Sequence, residues 1–330
     1  MGCIRQPIFP IIRTGRCPPL AQMKANANIA GIKRRERRTL VTGLLFVSPW
    51  LLGFLIFQAY PIIMSLYYSL TEYNLFSPPE WVGMDNFAKL FKDDKFYLSL
   101  YNTVFIVLFG LIPHLAFALT MALLLNTNVR GQALYRTIYF LPTLVPAVAG
   151  SLLWMWLLNA QYGVINQVLG YLGMYQPNWL VDADWTKPAI VLMGFWGTGT
   201  TTVMYLAALQ DVPKVYYEAA SIDGANGWRK FWHITLPAIS PVTLFLLIMG
   251  LIDGFQYFTQ GLIFAEASQS IGGPENSLLF YAIYLYQVAF SFLDMGYASS
   301  MAWMLFVFVL ALTLLIFKTS AKWVYYGGEK

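Results

Sequence analysis

Few residues in this chain could do chemistry, and their arrangement suits holding a polar solute better than transforming one. Asp253 is the one acid placed inside an apolar span. An intramembrane carboxylate is costly enough to suggest a pathway or binding role. Gly250, Asp253, Gly254 and Tyr257 recur at i, i+3, i+4 and i+7. That spacing predicts one helix face with two glycine gaps, an acceptor and an aromatic ring, with Gln256 adjacent. Such a face can take a sugar, because carboxylate and amide oxygens accept from hydroxyls and a tyrosine ring lies against an apolar sugar face. It can equally be a packing face, with Asp253 bonded to a neighbouring helix. Both readings stand at this point.

His114 follows Pro113 in another apolar stretch. Without a carboxylate nearby in sequence it reads as a packed or pore-facing hydrogen-bonder, not a proton relay. The cluster Gly194, Gly197, Thr198, Gly199, Thr200, Thr201 and Thr202 could be mistaken for a phosphate cradle. No strand precedes it, however, and the chain has no Gly-Lys pair, so a Walker A loop is excluded. Small residues there predict close helix approach and interhelical hydroxyl bonds. Cys3 and Cys17 both fall near the N-terminus, which predicts neither a disulfide nor a metal site. An enzyme is not expected.

Glu218 to Pro237, EAASIDGANGWRKFWHITLP, is polar and partly basic between two strongly apolar segments. Pro213 suits a first helical position, Glu218, Ala219 and Ala220 favour helix, and Gly224 ends it. A second short helix is expected from Trp228 to Leu236, closed by Pro237. Val212, Val215, Tyr216, Ala219 and Ile222 share one face, while Trp228, Phe231 and Trp232 crowd another. The product is a helix–turn–helix knob with apolar faces, a carboxylate at Glu218 and cations at Arg229 and Lys230.

The pattern Glu218-Ala219-Ala220, three residues, Gly224, nine residues, Ile234, one residue, Leu236-Pro237 resembles the cytoplasmic "EAA" loop of ABC importer permeases at every defined position. The resemblance implies that Glu218, Ala219, Ala220, Asp223, Gly224, Ile234, Leu236 and Pro237 couple the chain to a separate ATPase subunit. The chain itself would bind no ATP, metal or other cofactor. Val82 to Phe87 is similar to a Val-Gly-hydrophobic-Asp-Asn-Phe signature of sugar permeases. So is the order Gly272-Gly273-Pro274, Tyr281 to Phe290, then Gly296-Tyr297-Ala298-Ser299-Ser300. These resemble the carbohydrate-uptake permeases of the maltose and glycerol-3-phosphate types. The likeness implies an importer with a cytoplasmic ATPase dimer, a second permease as a heterodimeric partner, and an extracytoplasmic solute-binding protein. The maltose-type members line their sugar site with the span that carries Gly250, Asp253, Gly254 and Tyr257. Asp253 disfavours an anionic substrate by like charge, which points to a neutral sugar, with glycerol-3-phosphate or an ion-driven secondary transporter as alternatives.

The elements that must position these groups follow from composition. The chain is 58% hydrophobic and 11% charged, against about a quarter charged in soluble proteins. An all-α, polytopic membrane protein is the expected class. Six apolar stretches are long enough to span, near 40–69, 102–125, 137–158, 187–208, 241–263 and 297–317. Prolines in the third predict a helix facing the bundle, and Trp154, Trp156 and Trp179 suit an interfacial belt. Asp85 is a candidate cap for a short external helix. Residues 1–38 form a basic tail with nine cations and one acid, read as a cytoplasmic topology signal and not a nucleic-acid contact; Met23 is a candidate start. With the tail inside, seventeen cations fall on cytoplasmic segments and four outside. The positive-inside rule therefore places both termini, and the 209–240 loop of a 39–330 permease domain, in the cytoplasm.

Overall fold

The computed structural model describes residues 39–127 and 130–325. The basic tail, both cysteines, Met23 and Lys330 lie outside the described residues. Helix α1 runs Thr39–Ser69. Up to Met64 it forms a unit of its own, exposing Leu45, Phe46, Trp50 and Phe57 along its length.

From Ser65 onward the chain forms a second unit. A two-residue ladder pairs β1 (Thr71–Glu72) with β2 (Glu80–Trp81), the single sheet in an otherwise helical protein among the described residues. Helix α2 (Asp85–Leu90) follows, then α3 (Asp94–Leu125), interrupted by a π turn at Val107–Leu111 just before Pro113. Next come α4 (Gln132–Phe140), a 3₁₀ turn at Leu141–Leu144, α5 (Ala147–Leu157) and α6 (Val164–Tyr171). Helices α7 (Ala183–Trp196) and α8 (Gly199–Gln210) precede a hairpin of α9 (Lys214–Ile222) and α10 (Gly227–Lys230). A π turn at Phe231–Thr235 leads through α11 (Leu236–Ala238) into α12 (Ser240–Phe255); α13 (Thr259–Glu266), α14 (Tyr281–Tyr286) and α15 (Met295–Ser320) complete the unit.

Among the described residues, four helical stretches are long and apolar enough to cross a membrane, and six if each bent pair counts as one span. The expected third and fourth spans, 137–158 and 187–208, are the two bent pairs. Helices α4 and α5 meet at 98°, because Pro146 forces Val145 into extended backbone and Pro142 sits in the tightened turn before it. Helix α5 buries Gly150, Ser151 and Trp154, while the first half of the span meets the bundle through the Tyr139–Thr198 hydroxyl contact. Helices α7 and α8 meet at 48° across Gly197 and Thr198. Of the small residues expected to permit close approach there, Gly199 does so, packed on Thr143 and Phe140; a Cβ at Gly194 would touch nothing. The second span starts at Asp94, earlier than its apolar run, because Asp93 caps the helix through Lys95 N–H. Asp85 is the first residue of α2 and not its cap; Met84 holds that position without a side-chain bond. Trp154 and Trp179 are buried in the core, where Trp179 Nε1 donates to Asn166 Oδ1 at 2.7 Å, and only Trp156 is exposed as a belt residue would be.

Lipid tails are as apolar as leucine, so polar links count among helices. Asn102 Nδ2 donates to the carbonyls of Asn276 (2.9 Å) and Leu279 (3.1 Å), and Thr103 Oγ1 accepts from Tyr281 N–H at 2.8 Å. Tyr281 donates in turn to Met301 O at 2.8 Å. Outside the spans, Asp93 accepts from the hydroxyls of Tyr284 and Tyr297. Asp294 caps α15 through Tyr297 N–H and pairs with Lys89 at 2.7 Å. The Gly296 to Ser300 signature thus anchors the last span to α2 and the β1 segment, where Gly296 N–H also reaches Tyr73 O.

Burial raises the Asp93 pKa, but the two hydroxyls and the Lys95 and Phe96 N–H groups outweigh it and leave the carboxyl below its usual value. A carboxyl depressed in the native state contributes stability above its unfolded pKa of roughly 4 and loses it as pH falls through the native value. Asp93→Asn is expected to lower the melting temperature of the detergent-solubilised chain by a few degrees. That corresponds to about 1 kcal/mol, low for a charged hydrogen-bonded group because the site is half exposed. The mutant should also lack the extra wild-type loss below about pH 4. Identical melts of both proteins from neutral to acid pH would dismiss this role.

Candidate functional site

The knob is built as its sequence demands, with one correction. Gly224 takes φ +75°, the left-handed conformation that ends α9. Its N–H reaches Ser221 O, while Ala225 N–H reaches back to Ala220 O at 2.9 Å. Asn226 then caps α10, accepting from Arg229 N–H at 2.9 Å. Lys230 Nζ donates to Ser221 Oγ at 2.6 Å, and Tyr217 and Thr235 share a 3.0 Å hydroxyl contact, stapling the two helices together. Trp228 stacks on Phe231 and meets Trp232 edge-on, as the spacing predicts.

Pro237 does not close the second helix. The chain passes through the π turn Phe231–Thr235, in which Leu236 N–H bonds Phe231 O, and continues helically into α12. A π turn shifts the hydrogen-bond register, so the missing proline N–H and the ring are accommodated without a break. Ile234, Leu236 and Pro237 therefore lie in the stem that joins knob to span. Glu218, Ala219, Asp223 and Gly224 are exposed at the tip and Ala220 is half-buried. Val212 is buried, but Val215, Tyr216, Ile222 and Trp228 stand out from the chain, Ile222 with 88% exposure.

The stem leads directly to the second candidate site. A cavity of about 690 Å³ opens where three packed clusters meet, around Leu115, Ile190 and Val107. That volume is within the roughly 300–1,000 Å³ of small-molecule sites. Gly250, Asp253, Gly254 and Tyr257 all line it. Tyr257 arrives there by a different route from the expected helical spacing. Helix α12 stops at Phe255, and residues 256–258 form a break before α13. Its ring meets Phe280 edge-on, 5.6 Å between centroids. Gln256, Thr259 and Gln260 at the break line the cavity as well. Irregular backbone at membrane depth is tolerated where it borders a cavity or protein, as it does here.

The glycines of this face serve close packing. A Cβ at Gly250 would sit 2.3 Å from Leu111 Cδ1, and one at Gly254 2.8 Å from Val107 Cγ2, so the glycines permit α12 to press on the π turn of α3. Asp253, by contrast, bonds no neighbouring helix among the described residues and is exposed to the cavity. Sequence reasoning did not connect His114, Thr200 and Thr201 with this face. They line the same cavity from α3 and α8, and the chain separation between the segments hid it.

Residues 114–326 match a protein family described as binding-protein-dependent transport system inner membrane component. The chain belongs to this family. It is 40% identical over 300 residues to the probable ABC transporter permease protein YesP of Bacillus subtilis (strain 168), covering 90% of this chain and 96% of that protein. It is 35% identical over 283 residues to the lactose transport system permease protein LacF of Rhizobium radiobacter, covering 84% and 93%. Its fold matches a chain of a bacterial ABC transporter involved in the import of the acidic polysaccharide alginate, with TM-score 0.75, 24% identity, and coverage of 88% and 98%. This is a membrane-spanning permease subunit of an ABC importer.

In such a permease the close contact of α12 with α3 should be intolerant of bulk. Gly254→Val is expected to destabilise the detergent-solubilised protein by about 1–3 kcal/mol through overpacking against Val107. The check is a thermal melt beside Gly194→Ala, which meets open space and should be near neutral.

Proposed function

We propose that this permease carries a carbohydrate into the cytoplasm, coupled to a separate ATPase dimer through residues 209–240. The observation that carries the reading is the knob itself. Its two helices are hydrogen-bonded to each other, while Val215, Tyr216, Ile222 and Trp228 have no cover in the chain. Apolar side chains on a rigid polar turn suit insertion into a protein cleft. Closure of the ATPase on ATP would move the knob, and the spans would rock between inward-open and outward-open states. Glu218 would meet a cation of the ATPase, and Gly224 would supply the bend.

The cargo reading rests on the relatives and the cavity. Curated relatives include permeases for lactose, for arabinooligosaccharides (33% identical, Halalkalibacterium halodurans) and for sn-glycerol-3-phosphate (33% identical, Pectobacterium atrosepticum). A cavity with one unpaired carboxylate, amide groups and a tyrosine fits sugar hydroxyls and rings, and the negative charge of Asp253 favours a neutral group at that depth. A second permease would complete the pore, and an extracytoplasmic binding protein would deliver the sugar. The seventeen-to-four cation bias supports cytoplasmic termini, with residues 1–38 as a tail on a 39–330 permease domain.

Reconstituted importer should take up sugar only with ATP. Gly224→Pro cannot adopt φ +75° and loses the N–H bond to Ser221; with Glu218→Lys, it should abolish uptake and substrate-stimulated ATPase while membrane insertion stays normal. Uptake surviving both substitutions, or running without ATP and collapsing with an ionophore, would replace this reading by an ion-driven one. Asp253→Asn should retain transport with an altered sugar KM, measured by initial uptake rates; an unchanged KM would remove Asp253 from the site.

A further inference from the structure

The cavity has a second polar wall, opposite in chemistry to Asp253. A carboxylate only accepts hydrogen bonds, and the donors beside Asp253, such as Gln256, stand on the same α12–α13 segment. His114 on α3 adds a polar group on a different element of the cavity wall. Its ring is half-buried, with Nε2 3.3 Å from Thr201 Oγ1 on α8. The imidazole therefore joins α3 to the second half of the bent fourth span. His114, Gly194, Thr200 and Thr201 line the same cavity as Asp253 and Gln256. Met204, Leu111 and Phe245 line it too and give apolar surface for the ring faces of a sugar.

We propose that His114, acting with Thr201, is a specificity-determining residue of this permease, forming a donor–acceptor wall that reads a sugar hydroxyl directed away from Asp253. The inference rests on the carbohydrate reading above. Sites built to hydrogen-bond a hydroxyl discriminate against the analogue that lacks it, since the site's own polar groups are then left unpaired.

The test uses the complete importer in liposomes, with lactose, maltose, cellobiose and melibiose as probes. The monodeoxy analogues of whichever disaccharide is taken up fastest follow. In the wild type, removal of the hydroxyl read by this wall should raise KM about tenfold. His114→Leu and Thr201→Val should each raise KM for the parent sugar about tenfold and cancel the penalty at that one deoxy position, leaving the other positions unchanged. His114→Gln, which keeps a donor and an acceptor, should preserve the penalty. If the substitutions lower only the maximal rate and every deoxy penalty persists, His114 is a pin for the bend and the proposal is overturned. Thr201→Val serves as an independent variant should His114→Leu fail to insert. ATP-driven uptake of none of the sugars would overturn the carbohydrate reading together with this one, whereas uptake with an unaltered deoxy profile overturns this one alone.

Discussion

Inside hydrocarbon every backbone N–H and C=O must find a partner within the protein, and that constraint decides where this fold can be irregular. The chain breaks its helices at residues 141–146, at Gly197 and Thr198, and at residues 256–258, and it shifts hydrogen-bond register in the π turns at Val107–Leu111 and Phe231–Thr235. Three of these irregularities border the cavity or flank residues that line it: the π turn of α3, the fourth-span bend beside Gly194 and Thr200, and the break after Phe255. Further π turns at Leu55–Ala59 and Gln287–Ser291 lie apart from the cavity lining.

The same constraint joins the two functional regions mechanically. Because the π turn accommodates Pro237, the backbone runs from the aromatic cluster of the knob into α12 without a loop. Asp253 lies thirteen residues beyond Ser240 on that helix, about 20 Å along its axis at 1.5 Å per residue. One turn residue, Ile239, separates α11 from α12. Gly250 and Gly254 then face Leu111 and Val107 on α3, on which His114 stands. At the other end of these helices, Asp93 with its two tyrosines and the Lys89–Asp294 pair fasten α3 and α15 to α2.

Much of this was legible in local pattern. Gly224 at φ +75° and the exposed apolar face of α9 follow from residue type and spacing, which local backbone preference and the 3.6-residue period make readable. The Gly250 face reached the cavity as its period predicts, up to Phe255. What failed was continuity. Prolines at 142 and 146 were read as tolerated within one helix, yet they turn it by 98°, and Pro237 was read as a stop, yet a π turn carries the chain past it. A proline announces that a hydrogen bond is lost; whether the chain bends, breaks or changes register depends on neighbours distant in sequence. Trp154 and Trp179 show the same limit, since indole suits both interface and core and only packing chooses.

By itself, then, the sequence determined a helical membrane chain, the position and shape of a bent polar knob, and a face of the fifth span with an unusual carboxylate. These are properties of residue type at spacings of one to a few turns, where covalent geometry and helical period leave little choice. Only the tertiary structure decided that Asp253 lacks a neighbouring partner, that His114 and Thr201 stand in the same cavity, and that Asp93 gathers tyrosines from nearly two hundred residues away. Those outcomes depend on which helices meet, and helix contacts in a membrane are chosen by small-residue gaps and scattered hydrogen bonds that leave no period in the chain.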